Sequence, residues 1–178
     1  MTAGEAWRLP PRGVLLVAVV LIVLAEVGGA SMARFKLPLA RWARDAMLAR
    51  PAVHGLVGVR DVDERILDEA LVKFDAGLRL FHLHAEGMGL VILATTSVAA
   101  TLAGAGGGRL LIALLTVGGA GYPLGYLLWS VLIPYRGIEG GKTIAEWVVW
   151  MPFGGAAIVA LWWLAGLVAL RMAGRWRA

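Results

Sequence analysis

The residues able to do chemistry in this chain gather in one short stretch, Phe81-His82-Leu83-His84-Ala85-Glu86-Gly87-Met88-Gly89. It holds two of the three histidines; the third is His54. On a helix, His82 and Glu86 stand four residues apart and share a face, so both can reach one ion. His84 and Met88 form a second such pair on nearly the opposite face. A regular helix therefore cannot bring His82 and His84 to one ion, nor place two of its own residues on opposite sides of one haem. A haem held here takes one ligand from this helix and a second from another helix, from another subunit, or from nowhere. The candidates for cofactor binding are His82, His84 and Met88, and those for a metal ion are His82, Glu86 and His84. Imidazole, carboxylate and thioether donors admit haem b or an ion of copper, iron or zinc. Two other readings stay open. One is a quinone or proton-handling role. The other is plain hydrogen bonding of these side chains to headgroups, water or a neighbouring loop.

The elements that must position this stretch are membrane helices. The chain is 60% hydrophobic and 16% charged, with a mean hydropathy of +0.76. A soluble domain is nearer about 45–50% apolar and about 25% charged. Apolar residues lie in long runs and charges collect between them, which predicts an all-α integral membrane protein forming one membrane domain. Four spans are expected, at about 13–32, 87–105, 110–134 and 147–170, with an extramembrane amphipathic segment over 34–86. The net charge of +5 resides in arginines and lysines that flank apolar runs, as lipid anchors do, and no nucleic-acid motif accompanies it. The absence of cysteine removes disulfides, thiolate metal sites, iron–sulfur clusters and covalent haem attachment.

The first run carries the basic flank of a signal peptide, and Ser31-Met32-Ala33 resembles a cleavage site. Its length and the internal Glu26 favour a true span. Within 34–86, Pro38 suits a helix start. Leu39, Trp42, Ala43, Ala46 and Met47 then fall on one face, predicting a helix that lies on the membrane surface until Pro51 ends it. Asp61 reads as an N-cap with Glu64 three residues on. Leu67, Leu71, Phe74, Leu78, Phe81, Ala85 and Met88 form the apolar stripe of a further helix that enters the membrane, with Gly77 as its expected kink. A glycine turn is expected over 104–109. In the third span, Pro123 predicts a kink, while Gly121 and Gly125 predict close approach of another helix.

Among the remaining polar groups, Glu26 is costly in lipid and must face protein or water. It reads either as a proton-relay carboxylate or as a partner of Thr95, Thr96 or Ser97. Tyr122, Tyr126 and Trp129 read as packing and interface residues, and Trp147 and Trp150 as an interfacial belt. The positive-inside rule leans to both termini in the cytoplasm, through Arg8, Arg12, Arg109, Arg171, Arg175 and Arg177, although Arg34, Lys36, Arg41, Arg44 and Arg50 compete from the other side. The membrane expected is a bacterial inner membrane.

His82-x-His84-x-x-x-x-Gly89, at the start of the second span, resembles the signature of small four-helix membrane proteins described as similar to subunit I of haem–copper (cbb3-type) oxidases. His82-x-x-x-Glu86-Gly87 separately resembles the metal-ligand helix of nitric oxide reductases, in which the histidine binds non-haem iron and the glutamate lies near it. The chain lacks the adjacent His-His pair and the other haem ligands of those enzymes, so no reaction of its own is assigned to it. The resemblance implies a haem- or metal-binding membrane protein that works with partners. The function expected is thus that of a subunit in a membrane electron-transfer or metalloenzyme complex. The alternative is a non-catalytic subunit that stabilises a larger membrane assembly. In either case the partners are the bilayer and other membrane subunits or further copies of the chain.

Overall fold

The structure is a computed structural model that describes residues 8–103 and 105–175. Helix makes up 91% of it, and the described residues contain no strand. The elements are α1 (Arg12–Leu48), the single turn α2 (Pro51–His54), α3 (Arg60–Leu102), α4 (Ala105–Gly121), α5 (Leu124–Ala145), a π-helical segment (Glu146–Gly154) and α6 (Gly155–Arg175). Three stretches are long and apolar enough to cross a membrane: Arg12–Leu48, Arg60–Leu102 and Gly107–Gly174. Their outward side chains are apolar and exposed, among them Leu16, Leu24 and Val27 on α1 and Ile158, Val159 and Trp162 on α6. Apolar faces of that extent suit lipid rather than water. Part of the glycine turn expected over 104–109, and all of Arg177, lie outside the described residues.

α1 and α3 form an antiparallel pair along most of their length. Ala18 and Ile22 meet Gly89, while Ala25 and Gly29 meet His82. Further along, Ala43 and Met47 bury themselves among Leu67, Ala70 and Phe74. The stripe read from Leu67 to Met88 faces inward as its spacing predicts, with Leu67, Phe74, Phe81 and Ala85 buried. Gly77 does not kink the helix. It makes room instead for Ser130 of α5, whose Cβ would lie 2.9 Å from a methyl placed at that glycine.

The helix start read at Pro38 is close to what is found: α1 is two helices joined across a kink at one non-helical residue, Phe35 (φ −112°, ψ 19°), and Pro38 lies in the first turn of the second. Proline lacks the N–H owed to the carbonyl four residues back and crowds that carbonyl, so the bend belongs just before it. Residues 38–48 are helical, but their apolar face is taken up by α3, and Trp42 packs on Phe74 and Tyr135 at ring-centroid distances of 6.0 and 6.1 Å. Asp61 is not the cap of α3. Val59 holds that position, and Asp63 reaches back to accept from Val57 N at 2.8 Å and Gly58 N at 2.9 Å. Glu64 is drawn across the seam by Arg44, with contacts of 2.6 and 2.7 Å.

The stretch after α3 folds back on itself. α4 and α5 join at a break over Tyr122 and Pro123, where the kink was expected. The chain reverses around Gly137, whose φ of +73° favours glycine. The π segment and α6 then return alongside α4 and α5. Gly107 faces Trp163, Gly118 faces Ala157, Gly121 faces Phe153 and Gly125 faces Trp150. The close approach expected of Gly121 and Gly125 is thus found. The widened segment contains Pro152, which cannot donate into an α ladder.

Candidate functional site

α3 carries all four candidate ligands, and helical geometry sends them to different neighbours. His82 points to α1. Its Nδ1 lies 2.8 Å from the carbonyl oxygen of Ala25, and its ring rests on Gly29, where an added Cβ would come within 2.9 Å of the ring Cε1. A carbonyl only accepts, so Nδ1 must carry the proton. In the neutral ring this leaves Nε2 as a lone-pair acceptor, the state in which imidazole binds iron, copper or zinc.

His84 points the other way, into the α4–α5 side. Its Nδ1 donates to the carbonyl of Leu80 at 2.8 Å, one turn back on the same helix. Its ring stacks on Tyr126 with centroids 4.4 Å apart and meets the edge of Tyr122 at 5.7 Å. The two tyrosine hydroxyls are 3.0 Å apart. Trp150 closes the cluster against Tyr126, with a centroid distance of 4.9 Å. Its indole Nε1 lies over Gly125 and is the one buried side-chain polar atom without a hydrogen-bond partner among the described residues. Trp147 is exposed as a belt residue would be, but Trp150 is turned inward.

His82 and His84 therefore stand on opposite sides of α3, as the spacing requires. No group of three His, Asp or Glu side chains able to hold a metal ion occurs among the described residues. Glu86 shares the face of His82 but makes no hydrogen bond or ion pair with it. Met88 faces α4, where its Cε would sit 3.2 Å from a Cβ at Gly119. The residues thus fit ligation by one imidazole at a time and do not fit chelation by His82, His84 and Glu86 together.

Glu26 does not meet the hydroxyls proposed for it. Thr95, Thr96 and Ser97 donate to carbonyls of their own helix four residues back, at 2.7, 2.5 and 2.7 Å, as hydroxyls on membrane helices commonly do. Glu26 is exposed on the outer side of α1.

The sequence reading missed the stacking of His84 on Tyr126. The signal was present as Tyr122-x-x-x-Tyr126, two rings one turn apart on one face. It did not show which helix would face them. Comparison of the chain with protein-family models, with curated proteins and with solved structures returns no match.

Proposed function

We propose that this chain is a four-span helical subunit of a membrane electron-transfer or metalloenzyme complex, and that it lends a single imidazole, His82, to a haem or metal centre completed by a partner subunit. The observation that carries the reading is the 2.8 Å contact from His82 Nδ1 to the Ala25 carbonyl. It fixes the tautomer and aims an unprotonated Nε2 away from the bond. Ligand histidines are commonly held in this way by a backbone acceptor on the other nitrogen. A haem, or an iron or copper ion, bound there would supply one-electron chemistry; zinc would supply only Lewis acidity. The protein's own part is to orient the ring through Ala25 and Gly29 and to keep a carboxylate, Glu86, one turn away. His84 belongs in this reading to the interior aromatic cluster and not to the ligand set.

Four crossings follow from reading Gly107–Gly174 as two, one through α4 and the membrane half of α5 and one through the π segment and α6. Their antiparallel packing on glycine supports this. With four crossings both termini share a side, assigned to the cytoplasm of a bacterial inner membrane by the arginines near the two ends.

A second reading, a subunit that only stabilises a larger assembly, is favoured by the lack of any three-ligand group among the described residues. One measurement separates the two. The complex purified intact from its native membrane is expected to show a Soret band or stoichiometric iron, copper or zinc. His82→Ala is expected to abolish that signal, and His84→Ala to retain it. Neither band nor metal in the intact complex would leave the structural reading standing and sink the first.

A further inference from the structure

A groove of about 470 Å³ runs between α1 and α3 beside the bend at Phe35. That volume lies within the range of about 300–1,000 Å³ typical of small-ligand sites. Its walls change character along its length. At one end stand Met32 and Leu78, which border the apolar halves of α1 and α3. One turn on from Met32 comes Lys36. Furthest from the apolar halves comes Asp68. Asp75 also lines the groove, but Arg79 neutralises it through a contact of 2.8 Å. Lys36 and Asp68 have no hydrogen bond or ion pair with any described residue.

The order along the groove is therefore apolar, cationic, anionic. A zwitterionic phospholipid has the same order from its acyl chains outward: hydrocarbon, phosphate, ammonium. We propose that this groove binds the headgroup of a bilayer lipid of the phosphatidylethanolamine type. Lys36 meets the phosphate. Asp68 accepts hydrogen bonds from the primary ammonium. The acyl chains pass Met32 and Leu78 into the bilayer. A primary ammonium fits better than a quaternary one because it has N–H groups to give to a carboxylate. An anionic lipid without an amine would leave Asp68 unpaired beside further negative charge.

The bend at Phe35 and Pro38 borders the site, and the groove is independent of His82, so the proposal stands apart from the reading of the ligand histidine. It is tested with the full chain in mixed micelles containing equal amounts of phosphatidylethanolamine, phosphatidylcholine and phosphatidylglycerol, with retained lipid counted by native mass spectrometry. The first lipid is expected in about fivefold excess over each of the others, the upper end of the scale for one exposed charge pair. Lys36→Ala is expected to lower its retention about fivefold, and Asp68→Asn to shift preference toward phosphatidylglycerol. Lys73→Ala, on the same helix but outside the groove, is expected to change nothing. Equal retention of all three lipids, or unaltered retention in both variants, overturns the proposal. So does competition by soluble phosphoethanolamine, which would assign the groove to a free headgroup rather than to a lipid.

Discussion

Ser130 of α5 donates its hydroxyl to the backbone carbonyl of Phe74 in α3 at 2.6 Å. The serine is fully buried, and the bond pins α5 to α3 across Gly77. A carbonyl oxygen has two lone pairs, so Phe74 can accept from Ser130 without leaving its own helix ladder. Ser130→Ala is expected to destabilise the protein by about 1 kcal/mol, the net value of such a bond. Gly77→Ala meets Ser130 Cβ at 2.9 Å and is expected to cost more, about 1–3 kcal/mol. Unfolding in detergent followed by circular dichroism ranks the two variants. A Gly77→Ala protein as stable as wild type would show that the helices can part there at no cost.

The glycine seam between α4 and α6 gives a sharper case. A Cβ at Gly118 would lie 2.7 Å from Ala157 N and 2.8 Å from the carbonyl oxygen of Phe153. Both obstacles are backbone, so no rotamer change relieves them. Gly118→Ala is expected to lower stability by about 1–3 kcal/mol. Gly166→Ala, with nothing within 4 Å of the added carbon, is expected to be neutral or to stabilise by about 0.5–1 kcal/mol through helix propensity. The same thermal unfolding experiment reads both, and the sign of the difference is the test.

Asp63, not Asp61, closes the loop before α3 by accepting from the N–H groups of Val57 and Gly58. Asp63→Ala is expected to cost about 1–2 kcal/mol, as loss of a capping side chain does. Asp61→Ala is expected to have an effect within about 0.5 kcal/mol, the range of ordinary surface changes. Limited proteolysis near residues 55–59 is the direct readout: faster cleavage in Asp63→Ala and unchanged cleavage in Asp61→Ala.

Gly29 sets the position of His82. A methyl at residue 29 would approach the imidazole to 2.9 Å, and the obstacle is a side chain that can swing away. Gly29→Ala is therefore expected to leave stability nearly unchanged while it disturbs the bond from His82 Nδ1 to Ala25. Nitrogen NMR of labelled histidine should show Nδ1 protonated and Nε2 bare in the wild type, with the two states mixed in the variant. A wild-type ring already mixed would remove the argument for a fixed tautomer.

The helical class and the inward stripe of α3 were legible because a period of 3.6 residues is written directly in the positions of Leu67, Phe74, Phe81 and Ala85. The opposite directions of His82 and His84 followed from the same geometry. Partners were not legible. Trp42 and Met47 form an apolar face whether lipid or α3 covers it, and only the tertiary fold decides between them. Pro38 signals a new helical start, which the kink at Phe35 provides, but not that α3 would cover the new helix's apolar face. The capping pattern favours Asp61, with Glu64 three residues on, over Asp63, and the loop that turns back over Asp63 depends on the positive φ of Gly55 and Gly58. The inward turn of Trp150 depends on the π segment, which has no periodic signature of its own.

Finally, α3 runs unbroken through 43 residues, about 65 Å at 1.5 Å per residue. The hydrocarbon core it is apolar enough to cross is about 30 Å thick. The helix is thus about twice as long as one crossing needs, and its first half does not stand alone. Arg44 of α1 grips Glu64 at 2.6 and 2.7 Å, and Ala43 and Met47 bury themselves among Leu67, Ala70 and Phe74. This first half is thus braced and continuous, in one helix, with the segment that carries His82. Force applied at the start of α3 would therefore reach the half-buried His82 ring through the helix itself, with no contact at the imidazole.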